Sequence, residues 1–339
     1  MSSKTWKGLV VDDPTEPTEE AVSLTALAVA SGRAVESSRP DALINDPYAA
    51  RLVAAAQSTV EFPVTWPDSL DDVPPVRRPL LLASLYIGLR TRFVDDVLAG
   101  ADVAGGGDPL LPIDLPRQVV VLGAGLDTRA FRLDWPGRTE VFELDQMSVL
   151  LFRRDVLRGL GAEPRCEWFA VPTDLSRPWV AALVAAGFDR RRRTSWVIDG
   201  LLPYLSADAQ LEAINTVARL SWPGSRAVIE RVVGLQDSPE LEEKLREFGV
   251  QTGLPMAGLL ARAHPPDPAA ILQGRGWDVQ QHTMDDLAVR YGRRLDDTPL
   301  AGPWVAAGAG APGAGAAQDD AVTRLDPATP GGFITAQLP

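Results

Sequence analysis

Residues 119–131 read VVVLGAGLDTRAF. A continuous run of β-branched and aliphatic residues reads as a strand buried on both faces, as in a parallel sheet. It stops at Gly123-Ala124-Gly125, the first half of the dinucleotide fingerprint. The third glycine of that fingerprint would stand at 128, where the chain has Thr128. The turn continues Leu-Asp-Thr-Arg, with an acid at Asp127 and no basic residue within the glycines to meet a pyrophosphate. A glycine turn of this kind suits a phosphate-free, cationic nucleoside. S-adenosylmethionine (SAM), with its sulfonium and α-amino group, is the common one.

Further short apolar runs follow at 139–145, 166–174, 194–200 and 225–233, and helical patterns at 146–160, 176–187 and 206–221 alternate with them. Strands alternating with helices predict βαβ units and a parallel sheet. Residues 275–283 and 331–339 read as two closing strands. Upstream, helical periodicity is expected over 19–33, in the stretch after Pro47, and over 80–98, with no strand alternation. The glycine- and proline-rich stretch 104–116 reads as a linker. The expected organisation is therefore a helical segment, 1–115, and an α/β domain, 116–339, with an insertion at about 234–276 on the substrate side. Residues 1–20 read as a loose leader, 190–193 (four arginines) as a solvated basic loop, and AAGAGAPGAGAAQDD near the C-terminus as a solvated low-complexity loop.

In an open α/β sheet the ligand lies beyond the carboxyl ends of the strands. There this chain carries Gly123, Ala124 and Gly125, then Asp145 and Gln146, then Asp174 and Leu175, then Asp199. Asp145 follows Gly123 by 22 positions, where nucleoside-binding folds place a carboxylate on the ribose hydroxyls. An ionised carboxylate accepts from both hydroxyls of one ribose. Asp174 can accept from an exocyclic adenine amine, or cap the helix that follows, and Leu175 can pack on the ring.

Composition narrows the partners. A net charge of −12 opposes binding to nucleic acid and to anionic lipid. The single cysteine, Cys166, cannot form an intramolecular disulfide, and two histidines, His264 and His282, do not make a multi-histidine zinc site. The polar, acidic first twenty residues lack the core of a signal peptide, and PLLLASLYIGL is too short to span a bilayer. A cytoplasmic protein acting on a small molecule is the expectation, with no metal; its oligomeric state is not legible.

The segments EEAVSLTALAVASGRAVES, DPYAARLV, RTRFVDD, VVVLGAGLDTRAFRLDWP, VFELDQMSVLLFRRDVL, TDLSRPW and WVIDGLLPYLS occur in this order. The chain resembles the leucine carboxyl methyltransferase family, especially its bacterial branch of SAM-dependent methyltransferases. The resemblance runs from about residue 16 to about 233, and again at the last strand. It implies a Rossmann-like SAM-methyltransferase sheet of seven strands, the last antiparallel, with a helical N-terminal cap. It also implies that Arg90 clamps the SAM carboxylate, that Gly123 and Gly125 let the backbone approach the methionyl part, and that Asp145, Asp174 and Leu175 hold ribose and adenine. Asp199 stands where the family has an acid, usually glutamate, near the SAM amino group. Tyr204 faces the implied substrate side, as a catalytic hydroxyl or as a packing tyrosine. Arg90 could instead pair with Asp95 or Asp96 on its own helix.

The residues favour a methyl acceptor that is already ionised. A carboxylate needs no general base, whereas an alcohol or phenol benefits from one, most often histidine, and both histidines lie outside the strand-end cluster. Two other readings stand beside O-methyl transfer: an NAD-dependent oxidoreductase, opposed by Thr128, and a SAM-binding protein that no longer methylates.

Overall fold

The computed structural model describes residues 23–101, 115–231, 266–293 and 331–339, apart from 57, 59 and 76, together with isolated positions between 243 and 252. The leader, the linker, most of the insertion and the low-complexity stretch lie outside the described residues.

All seven expected strands form: β1 (Gln118–Leu122), β2 (Glu140–Asp145), β3 (Glu167–Pro172), β4 (Thr194–Ile198), β5 (Arg226–Arg231), β6 (Asp278–Thr283) and β7 (Gly332–Gln337). They make one sheet of order 3-2-1-4-5-7-6. The first five are mutually parallel, and β7 runs antiparallel between β5 and β6. β1 is an interior strand, between β2 and β4, and is buried at every position, which accounts for its unbroken valine run. β1 and β4 are neighbours, with Leu122 opposite Ile198. The strand order reverses direction between them, so the ligand crevice of such a sheet opens between their carboxyl ends. The residues found there are Gly123 and Asp199.

Helices α1 (Leu24–Ser37), α2 (Ala49–Ala55) and α3 (Arg78–Ala99) precede the sheet. Ser23 caps α1 through its side chain, and Gly100 ends α3 in the left-handed conformation at φ 78°. α3 serves two layers. Its early residue Leu80 packs with Leu27 of α1 and Leu126 of the glycine turn, whereas Phe93, Val94 and Leu98 join the core on one face of the sheet. Phe93 meets Phe333 of β7 at 5.2 Å between ring centroids. α4 (Arg129–Arg132), α5 (Met147–Gly159), α6 (Val180–Ala185) and α7 (Ala207–Leu220) connect the parallel strands. Two short helices went unread in the sequence: α8 (Pro268–Gln273), capped by Asp267, and α9 (Met284–Arg290), opened by a Thr283–Asp286 capping box. Cys166 is buried at the foot of β3, as a small apolar residue.

A charged pair crosses the core beside the site. Glu143 of β2 and Arg153 of α5 are both fully buried and ion-paired. The Trp168 indole N–H also donates to Glu143, and Arg153 Nη1 donates to the Asp127 carbonyl at 3.1 Å. Burial pushes the Glu143 carboxyl up to about 7, against the pull of Arg153. Removing one member of such a pair leaves an uncompensated buried charge, at about 3–5 kcal/mol. Arg153→Met is therefore expected to destabilise the fold by roughly that amount at pH 8. The loss is expected to shrink toward pH 5, because the raised Glu143 pKa lets the folded state take up a proton there. Urea unfolding at both pH values measures it, and Glu143→Gln added to Arg153→Met is expected to recover most of the loss.

Candidate active site

The glycine turn is held from every side. Gly123 N and Ala124 N donate to the Leu144 carbonyl at 3.0 and 3.1 Å, and Gly125 N donates to Asp145 Oδ2 at 2.7 Å. The Leu126 carbonyl accepts from Arg33 Nη2 at 2.6 Å, and the Thr128 hydroxyl donates to Asp46 Oδ2 at 2.7 Å. Arg33 and Asp46 belong to the cap and pair with each other at 2.8 Å. Thr128, where a dinucleotide fold has its third glycine, is thus a tie between turn and cap. Gly123 has φ +71°, and an added Cβ would lie 2.9 Å from Leu201 Cδ1. Both facts require glycine there.

Arg90 of α3 reaches the opposite side of the crevice. Its Nε is ion-paired with Asp199 Oδ1, and its Nη1 lies 3.6 Å from Glu230 Oε2 on β5. The Tyr86 hydroxyl, one turn earlier on α3, donates to Glu230 Oε1, and Gly200 N donates to Glu230 Oε2 at 2.6 Å. Gly200 has φ +70°, and a Cβ on it would stand 2.6 Å from Arg90 Nη2, so a glycine after Asp199 makes room for the guanidinium. Burial works against the Arg90 charge, but Asp199 and Glu230 outweigh it and raise its pKa. Burial raises the Glu230 carboxyl, with Arg90 opposing.

Arg129 of α4 completes the network. It pairs with Asp95 and Asp127 at 2.7 Å each and lies 3.4 Å from Asp199. Burial would raise the Asp127 carboxyl, but Arg129 holds it at about 2. The pairing of Arg90 with its own helix is overturned: Asp95 faces Arg129 and Arg132, and Asp96 faces Arg92 and the Tyr291 hydroxyl.

A cavity of about 340 Å³ lies between the turn and the cap. Of the residues singled out in the sequence, Arg90, Gly123, Ala124, Gly125, Asp145, Asp199 and Tyr204 line it. Gln146 is exposed and outside the lining; its N–H donates to Asp145 Oδ1 at 2.7 Å. Asp174 and Leu175 also lie outside the lining. Asp174 is exposed, accepts from Ser176 N and Oγ at 2.9 and 2.6 Å, and its carboxyl is lowered by those bonds. Leu175 packs half-buried against the core. Tyr204 is partly exposed. Sequence reasoning missed Tyr86, Glu230, Arg33 and Arg129. Glu230 had a signal, a charge within the apolar run RAVIER, and Arg129 ends the LDTR segment.

The lining carries four arginines (Arg33, Arg90, Arg129, Arg132) and four acids (Asp127, Asp145, Asp199, Glu230), with Asp46 and Asp95 close behind. Such a site does not attract a polyphosphate, and it accommodates a ligand of net positive charge. Asp199 is ion-paired through Oδ1 with Arg90 and lies 3.4 Å through Oδ2 from Arg129, so both of its oxygens face arginines.

A seven-stranded sheet with an antiparallel β7, a glycine turn at the centre and an acid ending β2 defines a Rossmann-like methyltransferase fold. Residues 26–218 match the leucine carboxyl methyltransferase family. The chain is 41% identical over 286 residues to a Streptomyces coelicolor protein named "Putative S-adenosyl-L-methionine-dependent methyltransferase", covering 82% of this chain and 89% of that one. A Mycolicibacterium gilvum protein of the same name is 42% identical, covering 81% and 88%. A solved structure of a methyltransferase-like protein from Thermobifida fusca is 15% identical, with a TM-score of 0.46, over 97% of this chain and 99% of that one. The chain belongs to the leucine carboxyl methyltransferase family.

Arg90→Lys is expected to behave as a drastic change. Lysine keeps the charge but loses the planar fork that meets two carboxylates at once. Affinity for S-adenosylhomocysteine (SAH) is expected to fall tenfold or more, with faster proteolysis of α1 and α3 in its presence. Calorimetry and limited proteolysis on one preparation check this.

Proposed function

We propose that this SAM-dependent methyltransferase transfers a methyl group to a carboxylate, or another already ionised oxygen, of a small molecule. The observation that carries this reading is that every acid lining the cavity is engaged. Asp127 is held by Arg129, Asp199 by Arg90 and Arg129, Glu230 by Tyr86, Gly200 and Arg90, and Asp145 by two backbone N–H groups. An acceptor that arrives ionised asks none of them to take a proton. His282, on β6, packs on Phe93 at 4.9 Å and hydrogen-bonds Thr335 at 2.9 Å, outside the cavity lining.

In this reading the Arg90 guanidinium holds the cofactor's carboxylate, Asp199 its amino group, and Asp145 the ribose hydroxyls. Asp174 and Leu175, on the next loop, flank the adenine. Bound there, SAM supplies a methyl group on a positively charged sulfur, which an oxygen anion can displace. The chain's own contribution is to align and desolvate: the pinned turn fixes one reactant, and the cap encloses the other. Alignment of two reactants contributes up to about 7–11 kcal/mol when geometry is ideal. Tyr204, which lines the cavity, is placed to orient the acceptor. The cavity volume falls at the small end of small-molecule sites.

Two measurements test the reading. Asp145→Ala is expected to weaken SAH binding by about 10- to 150-fold, the equivalent of one charged hydrogen bond of about 1.5–3 kcal/mol. Asp174→Ala, whose carboxylate is exposed, is expected to weaken it less; equal losses would contradict the placement of the ribose. Product chemistry then separates acceptors. With methyl-labelled SAM and a panel of organic acids and phenols, the label is expected in base-labile methyl esters that release methanol at alkaline pH. Label found only in base-stable ethers would overturn the carboxylate reading.

A further inference from the structure

Glu230 gives its hydrogen bonds to groups other than its charged partner. Its two carboxylate oxygens divide between two donors: Oε1 accepts from the Tyr86 hydroxyl, and Oε2 accepts from Gly200 N at 2.6 Å. Arg90 Nη1 stands 3.6 Å from Oε2, outside hydrogen-bond reach but close enough for charge to act. Asp199 differs, since it meets Arg90 Nε directly. Tyr86 and Arg90 stand one turn apart on α3 and share one face of the helix, which brings both to the same carboxylate. Tyr86 and Glu230 are buried, and both line the cavity. Burial, and after it the Glu230 charge, raises the Tyr86 hydroxyl well above the usual phenol range, so it stays protonated and donates.

We propose that Tyr86 and Glu230 are positioning residues for Arg90, which keep its guanidinium charged, aimed and available to the cofactor's carboxylate. The inference rests on the reading above, in which Arg90 holds that carboxylate, and it adds two residues that set the affinity for it. A buried guanidinium needs a compensating negative charge. Asp199 supplies one, but the same reading assigns Asp199 to the cofactor's amino group, so a second acid is needed once the ligand draws on Asp199. A carboxylate with no other donors would take Arg90 into a bidentate pair and withdraw it from the ligand. Glu230 does not, because the Tyr86 hydroxyl and Gly200 N already hold its oxygens. It therefore lends charge to Arg90 without taking the N–H groups that a ligand carboxylate would use. Removing the Tyr86 hydroxyl leaves Oε1 without that donor, and the guanidinium, 3.6 Å from Oε2, is placed to replace it.

The test compares SAH with its decarboxylated analogue, which keeps the amino group and lacks the carboxylate. Calorimetry is run on the wild type, Tyr86→Phe, Glu230→Gln and the double variant. The wild type is expected to bind SAH more tightly than the analogue by about tenfold or more, as a charge-assisted contact would give. Tyr86→Phe is expected to weaken SAH about fivefold and to leave the analogue within about twofold, and the retained analogue affinity shows that the variant is folded. Glu230→Gln is expected to weaken SAH about tenfold, with the analogue again little changed. The double variant is expected to bind SAH like Glu230→Gln alone, because Tyr86 acts on Arg90 only through Glu230. Unchanged SAH affinity in Tyr86→Phe would overturn the proposal. Equal losses of SAH and analogue, which a merely structural role would give, also overturn it, as do additive losses in the double variant. A wild type that binds SAH and the analogue equally refutes instead the placement of the carboxylate on Arg90. One that binds no SAH refutes the methyltransferase reading, so the wild-type titrations are run first.

Discussion

Arg90 is held between two carboxylates from different strands. Asp199 follows β4 and Glu230 lies on β5, while Arg90 itself belongs to a helix that comes before the sheet in the chain. Burying a guanidinium costs free energy unless it is paired, and this one is paired only when α3 lies across the ends of those strands. The position of the cap is therefore tied to the chemistry of the crevice. Tyr86 adds a second bond to Glu230 from the same helix. On the other side of the crevice, Arg33 and Asp46 fasten α1 and the segment before α2 to the glycine turn. The cavity is the space enclosed by these two attachments.

The same network resolves the odd features of the turn. A dinucleotide site relies on a third glycine and on backbone N–H groups free to meet phosphate. Here the third glycine is a threonine bonded to the cap, and Gly125 N is satisfied by Asp145. Acids outnumber the arginines once Asp46 and Asp95 are included with the lining. The electrostatics fit a cofactor that brings positive charge to the site. Membership of the leucine carboxyl methyltransferase family and the physics of the turn lead to the same nucleoside.

The first four strands were legible because each is a short, largely apolar run followed by a glycine or an acid, and all seven form close to their expected bounds. The helices α8 and α9 were not, although Asp267-Pro268 and Thr283 with Asp286 carry capping signals; six or seven residues hold too little periodicity to outweigh a loop reading. In the site, glycines and strand-end acids could be placed by spacing alone. The partners of Arg90 could not, since Asp199 and Glu230 lie 109 and 140 residues beyond it in the chain and meet it only through the strand order. Asp95 and Asp96, close in sequence, were the natural partners to expect, and Arg129, Arg132, Arg92 and Tyr291 claim them instead. No helix among the described residues is long and apolar enough to cross a membrane.

The most direct test of this account is a crystal structure of the full chain with SAH. The account predicts the methionyl carboxylate on Arg90, the amino group on Asp199 and both ribose hydroxyls on Asp145. A ligand whose carboxylate lies away from Arg90, or whose ribose lies away from Asp145, would contradict it.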